Sequence, residues 1–226
     1  MSGSVSAPDS ESGNWITPLV MNKEGELYAG YNSLYRLESG QFQAVSSSLG
    51  DRIDGIAIDP IDSNVIYLYI NQDLLKSEDR GSTFNTVETF SRNLTSIAIS
   101  STDRSVVYAT TSTGVFKSVN GGLDFEDITS NLPGDTKLVV KHQGLHPDNP
   151  IYVGTSLGVY RLDDTSDQWE PFSNNLPNTA VRDIEINELD GNITIATYGR
   201  GVWRSNVPET QAMTDLAMIA GGILQS

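Results

Sequence analysis

Two carboxylates stand at the start of apolar, alternating stretches: Asp54 in IDGIAID and Asp183 in VRDIEIN. A pair of carboxyl groups about 5 to 9.5 Å apart across a cleft is what glycoside hydrolysis needs, one acting as acid and the other as nucleophile or base. Arg182 adjoins the second of them, and Tyr198 and Arg200 follow in the next apolar stretch. An exposed ring flanked by hydrogen-bonding side chains also binds a sugar face without any catalysis. Tyr31, Tyr69 and Trp203 are further aromatics near candidate loops. Packing competes for the same positions: in the repeat described below Asp183 aligns with Gly55 and Ser96, and Trp203 with Tyr35, Leu75, Phe116 and Tyr160.

Metal and nucleotide chemistry find less support. His142 and His146 have the i, i+4 spacing that places two imidazoles on one face of a helix. Their surroundings read as strand and turn, and His146-Pro147-Asp148-Asn149-Pro150 aligns with the loop Asp59-Pro60-Ile61-Asp62-Ser63-Asn64. That loop is rich in oxygen ligands but lacks the glycine and terminal glutamate of a calcium-binding EF-hand loop, and reads as an Asx-type turn. No P-loop, GxGxxG, nucleophile elbow or HExxH occurs, so no cofactor and no metal are expected. The sequons at Asn93 and Asn192 lie in or beside strands and carry no functional weight.

Bulk composition narrows the partners. The chain has 226 residues, 29 acidic against 14 basic, and a net charge of −15. That balance argues against duplex nucleic acid or an anionic membrane, which need Lys and Arg clusters. With no cysteine, disulfide frameworks, thiolate zinc sites and cysteine nucleophiles are excluded. MSGSVSAPDSESG has neither the basic nor the apolar region of a signal peptide. The apolar run Leu216 to Leu224 has nine residues, against the ~20 that span a bilayer as a helix.

The elements that must position Asp54, Asp183 and their neighbours form a repeat. An anchor recurs five times, as SLYRL (Ser33 to Leu37), DLLKS (Asp73 to Ser77), GVFKS (Gly114 to Ser118), GVYRL (Gly158 to Leu162) and GVWRS (Gly201 to Ser205), at offsets of 40, 41, 44 and 43 residues. Two apolar stretches precede each anchor, for example IDGIAID and VIYLYIN before the second. After each of the first four, a turn delivers an aromatic, at Phe42, Phe84, Phe125 and Trp169. A four-stranded unit at this period is the mark of a β-propeller blade. The expected fold is all-β, a propeller or propeller fragment of about five four-stranded antiparallel blades. Approximate blades span 14–50, 51–91, 92–134, 135–177 and 178–207. A disordered segment is expected over 1–13, and 208–226 forms a tail that could add a closing strand. Ile56, Ile58, Ile97, Ile99, Ile184 and Ile186 are the expected core between blades.

The turns share a pattern. Ser77, Asp79, Gly81 and Phe84 match Ser118, Asn120, Gly122 and Phe125 as Ser-x-Asp/Asn-x-Gly-x-x-aromatic, with a decayed copy at Leu162, Asp164, Ser166 and Trp169 and a shortened one at Ser39, Gly40 and Phe42. The Asp or Asn accepts backbone N–H bonds, the Gly supplies positive φ, and the aromatic packs back between sheets. This pattern resembles the Asp-box, or bacterial neuraminidase repeat, of sialidases, the sortilin propeller and xyloglucanase-type glycosidases. IYVGTSLGVYR, QWEPFSNNLPNTAVRDIEI and ATYGRGVWRS are similar to the final blades of secreted multidomain Bacteroidota proteins. The resemblance covers roughly residues 14–207 and implies a secreted or cell-surface location. It departs from sialidases: the arginines fall mostly in anchors and turns, without the sialate-binding triad. Related propellers have more blades, so the chain reads as part of a larger protein unless the tail completes a small ring.

The reading that follows is a non-catalytic recognition or scaffold module, binding protein or glycan through a propeller rim with Arg182, Tyr198 and Arg200. The alternatives are a secreted glycoside hydrolase of xyloglucanase type using Asp54 and Asp183, and a structural subunit that assembles with other chains through exposed sheet edges.

Overall fold

The computed structural model describes residues 8, 11, 13–173 and 176–208, so most of the expected N-terminal segment, and the tail beyond Pro208, lie outside the described residues. Nineteen strands, and no helix among the described residues, build five antiparallel sheets, the blades of a β-propeller. Blade 1 holds β1 (Leu19–Met21), β2 (Leu27–Gly30), β3 (Leu34–Glu38) and β4 (Gln41–Ala44). Blade 2 holds β5 (Gly55–Ile58), β6 (Ile66–Ile70), β7 (Asp73–Ser77) and β8 (Asn85–Thr89). Blade 3 holds β9 (Leu94–Ile99), β10 (Val107–Thr111), β11 (Val115–Ser118) and β12 (Glu126–Asp127). Blade 4 holds β13 (Lys137–His142), β14 (Ile151–Thr155), β15 (Val159–Leu162) and β16 (Glu170–Pro171). Blade 5 has three strands, β17 (Val181–Asn187), β18 (Asn192–Thr197) and β19 (Val202–Asn206).

Register shows how the repeat makes blades stack. Across one face of each sheet runs an apolar row: Leu19–Ala29–Tyr35, Ile56–Leu68–Leu75, Ile97–Ala109–Phe116, Val140–Val153–Tyr160 and Ile184–Ile195–Trp203. In blades 2 to 5 this face meets the preceding blade. The opposite face turns forward and centres on a tyrosine beside a cation: Tyr28–Arg36, Tyr67–Lys76, Tyr108–Lys117 and Tyr152–Arg161. All four tyrosines are at most 2% exposed, because the next blade covers them. Blade 5 has Thr194–Arg204 at that position. Among the described residues the four large apolar clusters join blades 1 and 2, 2 and 3, 3 and 4, and 4 and 5, and none joins 5 to 1.

The expected aromatics enter these clusters: Phe84 between blades 1 and 2, Phe125 between 2 and 3, Trp169 between 3 and 4. The hairpins before them are locked as their residue types require. The Ser77 hydroxyl accepts the Gly81 N–H at 2.8 Å and donates to Asp79 Oδ1 at 2.8 Å, while Asp79 accepts the Thr83 N–H and hydroxyl at 2.9 and 2.6 Å. Ser118 and Asn120 repeat this around Gly122, at 2.9 Å for both serine bonds. Gly81 sits at φ +90°, and a Cβ there would lie 2.4 Å from Leu34 Cδ2 of blade 1. The hairpin therefore also fixes how closely two blades approach. Blade 5 docks on blade 4 by other means: the Glu188 carboxylate accepts the Gly144 and Leu145 N–H groups at 3.1 and 2.8 Å, and Val207 is buried.

Candidate functional site

The rim to consider is the end where the inner strands begin and where the second and third strands of each blade are joined. Over blades 1 to 3 it is a belt of amides and carboxylates. Asp54, just before β5, accepts the Asn14 side-chain amide at 2.9 Å on one oxygen and the Asn71 N–H at 2.8 Å on the other. Asn71 donates in turn to Asp51 at 3.2 Å. Both oxygens of Asp54 thus hold loops from two blades together. Asp183 lies in β17, three blades further on, where Oδ1 accepts the N–H of its neighbour Ile184 at 2.9 Å.

At blade 5 the rim changes character. The pairing of β17 with β18 steps from Val181↔Thr197 to Asp183↔Ala196, leaving Arg182 as the extra residue of a β-bulge. A bulge re-aims the side chain that it frees. The Arg182 guanidinium is turned over the ring of Tyr198, 5.4 Å from its centroid. Tyr198 is 72% exposed, its backbone carbonyl held by the Thr179 hydroxyl at 3.0 Å and its N–H by the Ala180 carbonyl at 2.8 Å. Arg200, also exposed, follows in the same loop, and its carbonyl accepts the Trp203 indole N–H at 2.9 Å. The loop is thus braced at both ends while its ring and two guanidinium groups face solvent. Cation–π contact of this kind contributes about 0.5–1 kcal/mol at an exposed site, enough to preset the pair.

The remaining candidates sort differently. Tyr31 and Tyr69 are each 8% exposed, and the Tyr69 hydroxyl donates to the Thr95 carbonyl at 2.8 Å. They belong to the packing and are not stacking platforms: Tyr31 lies edge-on against Tyr35 in blade 1, and Tyr69 is in strand two of blade 2, which is covered on both faces. His142 ends β13 and lies against the Tyr108 ring at 5.4 Å, whereas the His146 Nδ1 accepts the Asp148 N–H at 3.2 Å within a loop. Asp59 and Asp62 cap their own turn and pair with Arg104 at 3.2 and 3.0 Å. Among the described residues no group of three His, Asp or Glu side chains is arranged to hold a metal. The bulge at Arg182 leaves a mark in VRDIEIN, where two polar residues rather than one separate Val181 from Ile184; LTSIAIS has the same spacing from Leu94 to Ile97, around a Thr95 that is likewise the extra residue opposite β10.

Compared with models of protein families and with curated proteins, the sequence gives no match. Solved structures match over most of the chain. The xyloglucanase of glycoside hydrolase family 74 from Xanthomonas campestris aligns with a TM-score of 0.70 at 19% identity, over 87% of this chain and 37% of that one. The extracellular domain of a putative hybrid two-component system from B. thetaiotaomicron aligns with a TM-score of 0.68 at 19% identity, over 89% of this chain and 27% of the other. A chain of the nidogen/laminin complex aligns with a TM-score of 0.70 at 11% identity, over 85% and 76%. At these identities the likeness is one of fold. The chain spans about a third of the length of the first two.

Proposed function

We propose that this chain is a non-catalytic, extracellular recognition module whose blade-5 rim binds a glycan or protein ligand through Tyr198, Arg182 and Arg200. The observation that supports this is the bulge-aimed Arg182 over an exposed Tyr198, a preset aromatic and cationic surface on a chain of net charge −15. Such a surface offers a ring face for a sugar and guanidinium donors for hydroxyl or carboxylate oxygens. Asp54, with both oxygens engaged by loop N–H groups, is better placed to hold the rim than to shuttle protons. The extracellular location rests on the fold it shares with a sensor's extracellular domain.

The second reading, a glycoside hydrolase of xyloglucanase type with Asp54 and Asp183 as its carboxylates, is favoured by the fold shared with a xyloglucanase. A glycan array followed by a reducing-end assay on every hit separates the two. Binding without release, lost in Tyr198→Ala and Arg182→Ala, is the expected result. Release abolished by Asp183→Asn would replace it with the hydrolase, and silence on glycans would leave a protein ligand for the rim. Both rim variants should lower the unfolding free energy by no more than about 1 kcal/mol, the cation–π contribution, because neither side chain is buried.

A further inference from the structure

Blade 5 has no fourth strand among the described residues. Among the described residues its outer strand β19 pairs only with β18 and is exposed along all five residues, so among them one edge offers N–H and C=O groups without a ladder partner. Beside that edge runs a groove of about 480 Å³ lined by Phe172, Ser173, Leu176, Ile195, Trp203 and Arg204, among others.

The repeat identifies this groove. Phe172 donates its N–H to Val159 and Leu176 donates to Ser173, at 2.7 and 3.0 Å, just as Ile128 donates to Val115 and Leu132 to Thr129, at 2.9 and 3.0 Å. Register matches Ile195 and Trp203 of blade 5 to Val153 and Tyr160 of blade 4. The wall formed by Ile128, Leu132, Val153 and Tyr160 is where Trp169 sits, 3% exposed, with its indole N–H donated to the Ile128 carbonyl at 2.8 Å. The groove at blade 5 is therefore an open copy of the Trp169 socket, next to a free strand edge.

We infer that blade 5 takes up an extended segment of a partner protein as its fourth strand, paired with β19 and seated by a tryptophan or phenylalanine in this groove. The chain's own continuation fits poorly. Phe84, Phe125 and Trp169 each lie seven residues past the last anchor residue, a spacing that falls on Ala212 after Ser205. A methyl group leaves a socket of indole size largely unfilled. Charge specifies the next residue. The residue after the aromatic faces the anchor cation, Gln43 opposite Arg36, Asn85 opposite Lys76, Glu126 opposite Lys117 and Glu170 opposite Arg161, so the two blades nearest blade 5 place an acid there, and Arg204 holds the corresponding place in blade 5. The segment sought has an aromatic followed by an acid, added by β-augmentation.

The probe is the peptide TSDQWEPFS, residues 165–173, which fills the copy of this socket in blade 4. Labelled and titrated with the full chain, it should bind saturably and bind at least tenfold more weakly when its tryptophan is replaced by alanine or when alternate backbone amides are N-methylated. Arg204→Glu should weaken the parent peptide and favour one with lysine in place of its glutamate. An N-methylated peptide that binds as well as the parent overturns strand addition. Absence of saturable binding also overturns the inference, including the case in which residues 209–226 close the groove themselves.

Discussion

The hydroxyl of Tyr67, at the centre of blade 2, donates to the carbonyl of Gly121 in the hairpin of blade 3 at 2.8 Å. A Cβ on the adjacent Gly122 would lie 3.3 Å from the same ring. The hairpin that follows the third strand of one blade is thus part of the floor on which the previous blade's tyrosine rests. Tyr67→Phe removes the donor and leaves a buried carbonyl without it, a loss of about 1–2 kcal/mol. Urea unfolding should show a lower midpoint with an unchanged slope, and an unchanged midpoint would mean that water replaces the hydroxyl there.

The two locked hairpins differ in one atom that titrates. Thr83, through its hydroxyl and N–H, together with the Ser77 hydroxyl holds the Asp79 carboxyl down at about 2, whereas Asn120 fills the same place in blade 3 without a charge. Because the folded pKa lies below the unfolded one, the contribution of Asp79 is present above the ordinary carboxylate range and is lost as pH falls toward about 2. Asp79→Asn should flatten acid unfolding over that window; Asn120→Asp is not its mirror image, because Asn120 donates its amide to the Asp124 carboxylate at 2.9 Å and a second carboxylate there would be repelled. Independently of pH, Gly81→Ala should be the most damaging hairpin change. A left-handed backbone costs a non-glycine residue about 1–2 kcal/mol, and the added methyl meets Leu34 as well. A smaller loss than for Ser77→Ala, about 1 kcal/mol, would show that the blades can part to admit it.

What was legible in the sequence depended on which faces of the sheets are alike. The anchors and hairpins repeat residue types, so blade number and the packing of Phe84, Phe125 and Trp169 could be read before any coordinates. Strand two was legible as a strand but not by face: VIYLYIN is apolar throughout, and β6 is buried on both sides. Tyr69 therefore looked available when it is enclosed. The Arg182 bulge shows the other limit: the three-residue step from Val181 to Ile184 breaks the alternation and marks an extra residue, as Leu94 to Ile97 does around Thr95, but the pattern does not say where the freed side chain points. The open socket at blade 5 was half legible, in that unit five lacked its aromatic; that Phe172 and Leu176 rebuild the wall needed the hydrogen bonds.

His142 is the outlier of its row and gives the sharpest test of the stacking scheme. Met21, Ile58, Ile99 and Ile186 hold the corresponding place in the other blades, each opposite the residue that precedes the central tyrosine or Thr194. His142 is mostly enclosed against Tyr108, and its Nδ1 is buried with no hydrogen-bond partner among the described residues. Burial, assisted by the Lys117 ammonium nearby, pushes the imidazole down to about 4. The folded state therefore keeps it neutral where the unfolded chain, titrating at about 6.5, binds a proton. Stability should fall as pH drops from about 6.5 to about 4 and gain no further penalty from this group below that, a total of about 3 kcal/mol. His142→Ile puts the row's own residue in place, removing both the unpaired nitrogen and the titration. The variant should be more stable than the parent at neutral pH by about 1 kcal/mol, and the gap should widen by about 2 kcal/mol near pH 4.5. Urea midpoints at the two pH values decide it, and a gap that does not widen would mean that the imidazole reaches water in the folded protein.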